Sequence, residues 1–479
     1  MQKKFYGSLI LIILLNVLVK PFYLFAIDAQ VQNTVGSEAY GVYFSLLNFS
    51  FIFNIFLDVG ITNYNTKNIA QHPNTVAKYI GPILGLRLIL AFIYLAITLG
   101  SGLLLGYGDL EMKMLGMLAL NQILAGLVLY FRSNFSGLHW FKIDALLSVL
   151  DRFLLIIVCS VLLYSSLIET PFQIEWFVYA QTFTYALTAL VAFTLSLVKI
   201  GRVRFRFKGL FNRALLKQSI PYALLILLMM TYTRMDAVMI ERILPDGKEQ
   251  AGIYAQGFRL LDVVNMFAFL IAGLLLPIFA RMIKKSESIK PVLHSAGLLL
   301  VGTAILISVC FSLFSEQLMS LIYNENTVQS GSAFSWIILS FIPMATGHIF
   351  GSLLTANGSM RLLNQMALGG IVINFTLNFI LIPIHKSEGA AVATLITQSI
   401  TAIAQIILVL KVFKLSVNIT HLARLAIFSG ALYSIGRYTP IYSQGLLGLL
   451  LLITFGIVLL LLLRIIHIKN ILNILRDRV

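Results

Sequence analysis

Residues 79–102 read Tyr-Ile-Gly-Pro-Ile-Leu-Gly-Leu-Arg-Leu-Ile-Leu-Ala-Phe-Ile-Tyr-Leu-Ala-Ile-Thr-Leu-Gly-Ser-Gly, with Arg87 as the one charge. About 20 apolar residues in a helix cross the roughly 30 Å hydrocarbon core of a bilayer. Lipid offers the backbone no hydrogen-bond partners, so a crossing stretch must be helical. Stretches of this kind recur along nearly the whole chain, which is 59% hydrophobic and only 11% charged over 479 residues. The fold class that follows is an all-α polytopic membrane protein.

Fourteen helices are expected, at 5–27, 40–63, 79–102, 114–134, 146–168, 176–198, 215–241, 257–280, 293–314, 331–355, 366–385, 389–411, 421–440 and 445–467. Assigning Lys and Arg to alternate sides puts twenty-five on one side and five on the other. The five are Lys113, Arg242, Lys248, Lys386 and Arg437. By the positive-inside rule the basic side is the cytoplasm, and an even number of spans leaves both termini there. The start, Met1 to Lys4 followed by apolar residues and then Ala26-Ile27-Asp28-Ala29, mimics a secretory signal. Lys20 and Pro21 interrupt it, and many spans follow, so it reads as the first transmembrane helix.

The net charge of +16 does not point to nucleic acid, because the basic residues sit between apolar segments instead of in one block. Cys159 and Cys310 lie within apolar stretches without metal-ligand or redox spacing, and read as packing residues. No metal constellation, nucleophile motif or phosphate-binding glycine loop stands out, and no connection exceeds about 20 residues. A membrane glycosyltransferase, ligase or polymerase would need an extramembrane catalytic segment, so an enzyme is not expected, nor is a cofactor.

The run Lys199-Ile-Gly-Arg-Val-Arg-Phe-Arg-Phe-Lys208 is the densest charge cluster. It reads as a linker lying on anionic lipid headgroups, each basic residue contributing about 1 kcal/mol, or else as a site for a cytoplasmic partner. It divides the chain into an N-lobe, 1–198, a linker, 199–214, a C-lobe, 215–411, and two extra helices with a tail, 412–479. Two echoes support an internal repeat: Ala39-Tyr40-Gly41-Val42-Tyr43 against Gln250-Ala251-Gly252-Ile253-Tyr254, and Asn134-Phe135-Ser136-Gly137 against Thr355-Ala356-Asn357-Gly358. Such repeats around a midplane site are usual in secondary transporters.

Gly36-x-x-x-Tyr40-Gly41-x-Tyr43, Asp58-Val59-Gly60, Pro221 with Asp236, Gly252-x-Tyr254 and the Gly358 turn carry a resemblance. Their order over fourteen spans resembles the Wzx-type oligosaccharide flippases of the multidrug/oligosaccharidyl-lipid/polysaccharide exporter superfamily. The resemblance implies two six-helix lobes in a V that opens alternately to each face. It implies as substrate an undecaprenyl-pyrophosphate-linked oligosaccharide, moved from the cytoplasmic to the periplasmic leaflet of a bacterial inner membrane. Other polysaccharide-assembly proteins are implied as partners.

Charges at membrane depth cost about 2.5–3.5 kcal/mol on insertion scales, so they face a cavity or a partner. Asp58, late in helix two, and Arg87, early in helix three, are expected at similar depth near the cytoplasmic side, with Asp151 and Arg152 level with them. These are either structural ion pairs or a cytoplasmic gate that breaks as the protein opens inward. Lys20 and Arg234 are equivalent to within one turn when the tyrosine-glycine echoes are aligned at an offset of 211 residues. With Arg259 they are candidates to hold the pyrophosphate, since that anion suits dispersed cations. The alternative is that Lys20 snorkels to the interface and Arg234 pairs with Asp236. Asp236 and Asp262 are candidates for a coupling proton or Na⁺, or neutralise Arg234 and Arg259. Of the aromatics near helix ends, Tyr40, Tyr43, Tyr232 and Tyr254 among them, most are expected as interfacial anchors, with stacking on sugar rings as the alternative for some. Competing functions are a multidrug exporter of the same superfamily, a peptidoglycan-precursor flippase and a membrane scaffold. The five basic against four acidic residues at depth favour an anionic substrate over an organic cation.

Overall fold

A computed structural model describes residues 14–465 except 17, 63–64, 67–68, 70–75, 166–169, 201–208 and 417–418. The start of the first expected helix, the core of the basic linker and the tail after 465 therefore lie outside the described residues. Every regular element among the described residues is helical. In chain order they are α1 (Leu14–Ile52), α2 (Ile55–Asp58), α3 (Val76–Leu104), α4 (Asp109–Gly137), α5 (Phe141–Tyr164), α6 (Ile174–Ile200), α7 (Gly209–Ile243) and α8 (Gly247–Lys284). There follow α9 (Lys290–Leu313), α10 (Ser315–Ile322), α11 (Thr327–Leu339), α12 (Phe341–Ala356), α13 (Met360–Phe413), α14 (Ile419–Tyr438) and α15 (Leu446–Leu462).

Among the described residues ten stretches are long and apolar enough to cross a membrane. Two of them, α1 and α13, each contain one non-helical residue, Gly36 (φ 79°, ψ 167°) and Lys386 (φ 53°, ψ −132°). Each folds back there. Tyr40 Oη lies 2.7 Å from Asp28 Oδ2, whereas twelve residues of straight helix would hold them about 18 Å apart. At the second reversal, a Cβ on Gly389 would stand 2.3 Å from the Leu381 carbonyl oxygen. Counting both arms of each, with α14 and the short α15, fourteen membrane-long segments result, the number expected from hydropathy. The first arm runs on to the residue before Gly36, so Asp28 lies inside it and not beyond its end.

Helix packing divides the chain into two compact units, 1–238 and 239–479, the cut falling within α7. In the first unit α4 packs against α1, α2, α3, α5 and α6. Its core joins Ile83, Leu86, Tyr130, Phe135 and Leu147. Burial of apolar side chains does not itself drive helices together in lipid, so close packing and polar bonds must do so. Buried Asn65 supplies both, donating to Ser133 Oγ (2.8 Å) and Asn134 Oδ1 (2.7 Å) of α4. In the second unit α8, α11, α12 and α13 form one bundle, and α14 and α15 lean on α9. Gly456 of α15 admits Leu306 and Leu432 where a Cβ would collide, at 2.2 and 3.1 Å. The two cysteines are free and buried.

The repeat has a structural counterpart. Gly36 and Gly247, 211 residues apart, both mark a tight reversal, a Cβ on Gly247 meeting the Glu241 carbonyl oxygen at 2.4 Å. Tyr43 and Tyr254, at the same offset, each bond to a polar residue of a later helix: Gln181 Nε2 at 2.8 Å and Thr394 Oγ1 at 3.3 Å. The conformation of Gly36 belongs to a region that only glycine enters freely, and others enter it at a cost of order 1–3 kcal/mol. Gly36→Ala is therefore expected to lower the thermal midpoint of the purified protein. Gly430→Ala, a helical position with open space, is expected to leave it unchanged or raise it.

Candidate functional site

The chain breaks helix after Ile52, resumes for one turn in α2, and then places Val59 (φ 45°) and Gly60 (φ 80°) in left-handed conformations. A β-branched residue is rarely left-handed; here it turns the chain so that Thr62 donates its backbone N–H to Asp58 (3.1 Å). The Thr62 hydroxyl also bonds that carboxylate. Arg87 enters from α3 and forms an ion pair with Asp58. It donates from Nη2 to Thr62 Oγ1 (2.6 Å) and from Nη1 to the Gly126 carbonyl (2.9 Å), and lies over the Tyr130 ring at 5.0 Å. With its side chain only 3% exposed, Arg87 is sealed inside the protein. Four segments share one charge.

Arg152 of α5 is built differently. Its guanidinium lies between two rings, 4.8 Å from the Tyr23 centroid and 5.6 Å from that of Tyr185. Nη2 donates to Tyr185 Oη (2.9 Å), and Nε stands 3.6 Å from Asp151 Oδ2. Its side chain is 27% exposed. Lys20, three residues before Tyr23 on α1, is half-buried. Arg132 is itself neutralised by Asp144 at 2.7 Å. A π-helical turn over Leu24–Asp28 stacks Tyr23 over Asp28. The buried Asp28 carboxylate then accepts from Tyr23 (3.2 Å) and Tyr40 (2.7 Å).

The other expected site residues are dispersed. Arg234 of α7 donates to Asn48 Oδ1 (3.3 Å) and stands 5.5 Å from the Phe51 centroid, both on the second arm of α1. Asp236 is buried. In the second unit Arg259 and Asp262 are half-buried on α8, three residues apart. At the reversal of α13, Lys386 Nζ lies 2.7 Å from Asp246 Oδ2, which also accepts from Gln250 Nε2 at 3.1 Å. The structure thus brings together Asp58 with Arg87 and Asp151 with Arg152, while Arg234 sits on α1 partners. Among the described residues no group of three or more His, Cys, Asp or Glu could hold a metal ion.

The model of polysaccharide biosynthesis proteins matches residues 7–283, more than half of the chain. The chain belongs to the polysaccharide biosynthesis protein family. No functionally curated protein matches it. Its fold is similar to that of the lipid II flippase MurJ in an inward closed conformation (TM-score 0.73, 13% identity, covering 98% of this chain and 99% of that one). It is also similar to an inward-facing multidrug resistance MATE family transporter of the MOP superfamily (0.64, 14%, 83% and 96%). A third likeness is to a MOP superfamily transporter from Pyrococcus furiosus described by a binding pocket of reversed polarity (0.60, 14%, 89% and 96%). At these identities the likeness carries the fold.

Two features of this polysaccharide biosynthesis protein escape a sequence reading. Tyr40, Tyr43, Tyr232 and Tyr254 are not interfacial anchors: all are at most 2% exposed. Tyr40, Tyr43 and Tyr254 spend their hydroxyls on partners inside a bundle. Asp28 was hidden by lying next to a signal-like Ala-x-Asp-Ala; the nearby Tyr40 was the available clue, since a buried phenol needs an acceptor.

Two predictions follow from the ion pairs. Removing one partner of a buried pair costs about 3–5 kcal/mol because the other charge is stranded. Asp58→Asn is expected to lower thermal stability by that order, and adding Arg87→Met is expected to restore part of the loss. Melting of the purified single and double variants checks this. The bond from Lys386 holds the Asp246 carboxyl below its ordinary value. A depressed carboxyl stabilises fully above its unfolded pKa of about 4 and loses that contribution as pH falls through the lower folded value. Asp246→Asn is therefore expected to raise hydrogen exchange over 383–388 at neutral pH, and to match wild type in stronger acid.

Proposed function

We propose that this protein is a flippase that carries an undecaprenyl-pyrophosphate-linked oligosaccharide from the cytoplasmic to the periplasmic leaflet of a bacterial inner membrane. It works by alternating access and serves assembly of a surface polysaccharide such as O-antigen. The observation that carries this reading is membership of the polysaccharide biosynthesis family in a chain that holds cations at membrane depth. The MurJ-like fold supports it, because the relative named as a flippase moves a lipid. The basic bias of one set of connections supports cytoplasmic termini.

In this proposal Lys20, Arg234 and Arg259 take turns at the pyrophosphate as the substrate crosses. Arg234 would exchange its long bond to Asn48 for a charge-assisted one to phosphate. The Asp58–Arg87 and Asp151–Arg152 pairs act as the cytoplasmic gate, while Asp236 and Asp262 carry the coupling proton or Na⁺. Anionic lipids meet the basic connections, and other polysaccharide-assembly proteins take over the product. The MATE-like likeness keeps a multidrug exporter as second reading; cations at depth suit organic cations poorly.

The test is the fate of lipid-linked oligosaccharide in cells lacking the gene. Deletion is expected to leave the oligosaccharide on the cytoplasmic side and to remove the surface polymer. Wild type is expected to restore both, and Arg234→Ala to restore less than a tenth. Surface glycan untouched by the deletion would overturn the flippase reading in favour of efflux of cationic drugs.

A further inference from the structure

Of the seven histidines in the chain, six fall in connections or within two residues of the end of an expected helix. His348 is the exception, eight residues from the nearer end of α12 and so about 12 Å along the span. A count of charges at depth passes over it, because a neutral imidazole carries none. Its Nε2 lies 2.8 Å from Oδ1 of Asn265 on α8, and its ring meets that of Phe269, one turn further along α8, edge to face at 5.9 Å. An amide oxygen only accepts, so Nε2 holds the hydrogen and donates it, which leaves the Nδ1 lone pair as the base. His348 and Asn265 are half-buried and Phe269 is 65% exposed, so the pair stands at a face of the second unit. Ionisable groups at this depth face a bundle interior or a water-filled cavity, not lipid.

The neighbouring helices leave the ring without a charged partner of its own. α12 packs against α8, α9, α11 and α13 and has no other titratable group, and α11 has none. On α9, Lys290 and His294 lie in the first two turns and Cys310 is buried. On α13, Arg361 and Lys411 lie near the ends, and His385, Lys386 and Glu388 at the reversal. On α8, Lys248, Glu249, Arg281 and Lys284 lie in the end turns, and Tyr254 bonds Thr394. That leaves Arg259 and Asp262, three residues apart and offsetting each other in charge. Asp236 likewise follows Arg234 by two residues. His348 has a neutral amide instead, so a proton on it adds one whole charge. A whole charge at membrane depth is costly away from water. Proton binding and a water-admitting state therefore favour each other, and that coupling is reciprocal.

The interior of the second unit is polar at the same turn of α12. Thr397, Thr401 and Gln405 share one face of α13 and are all buried. Among the described residues Thr397 Oγ1 and Gln405 Oε1 have no hydrogen-bond partner, and ordered water is the usual partner of such atoms. Gln405 Oε1 points at the two glycines that flank His348: a Cβ on Gly351 would stand 3.1 Å from it, and one on Gly347 3.5 Å.

We infer that His348, held by Asn265, is the group that takes up a proton and couples its movement to transport. The inference rests on the flippase reading and sharpens it: the coupling proton passes from Asp236 and Asp262 to His348. The proton comes from water on one side, bonds to the Nδ1 lone pair, and returns to water on the other side. Asn265 is a positioning residue that fixes the tautomer and the plane of the ring.

The experiment uses full-length protein in liposomes with the lipid-linked oligosaccharide extracted from cells lacking the gene. Membrane potential is clamped at zero, and an impermeant lectin reads the steady-state distribution of the lipid between leaflets. For one proton per lipid, a gradient of one pH unit is expected to shift the wild-type distribution about tenfold. His348→Gln keeps a donor for Asn265 but has no base, and is expected to give the same distribution with and without the gradient. A structural role would slow the approach to that distribution without changing it. Asn265→Asp places a carboxylate beside the ring and is expected to move the pH profile of transfer up by about one unit. A wild-type shift that His348→Gln preserves would overturn the inference. Melting temperatures identify a His348→Gln protein that does not fold, in which case an unchanged Asn265→Asp profile would overturn it. Wild type that transfers the lipid but ignores the gradient would also overturn it, while sparing the flippase reading. Wild type that transfers no lipid would bring down the flippase reading itself.

Discussion

Carrying a guanidinium into hydrocarbon is the constraint around which the first unit is organised. Arg87 is the one charge in residues 79–102 of its helix, and the groups near it converge on it. The helix before it breaks, a valine adopts a left-handed conformation, and a threonine and a carboxylate converge on one nitrogen. A backbone carbonyl and a tyrosine ring complete the enclosure. In water such a cluster would be worth little, since solvated ion pairs barely stabilise. In a low-dielectric interior its integrity decides whether α2, α3 and α4 meet at all.

The same constraint separates two kinds of cation. One kind is enclosed, bonded through both terminal nitrogens and part of the architecture. The other kind is steadied by aromatic rings and left partly open. Arg152 belongs to the second group, although a carboxylate precedes it in the chain. Neighbourhood in sequence is a poor guide to pairing in a helix, because adjacent side chains diverge by about 100°. The first kind ties helix to helix, and the second keeps part of its guanidinium open.

The membrane fold was legible because lipid permits so few solutions. Runs such as 79–102 could only be helices, and their number emerged from hydropathy although the boundaries moved. What stayed hidden depends on contacts across the bundle. Nothing local distinguishes Tyr43, buried against Gln181, from a tyrosine resting at the headgroups. Asp28 looked like the polar end of a helix because the reversal was placed too early; the left-handed glycine eight residues later sets the true end. The Asp58–Arg87 pair was readable from depth alone, since a short connection leaves only one level at which both can sit. Arg152 was readable as a charge but not as a platform, because Tyr23 and Tyr185 come from helices remote in sequence.

The reversals at Gly36 and Lys386 have a practical consequence for anyone who wants to label or hold this protein. A polypeptide that doubles back on a single residue exposes almost no ribbon for a protease to clip or an antibody to grip. Epitopes and fluorophores placed there would unpick the hairpins that they are meant to report. The segments at 105–108 and 323–326, which connect helices without being helical themselves, are the natural attachment points.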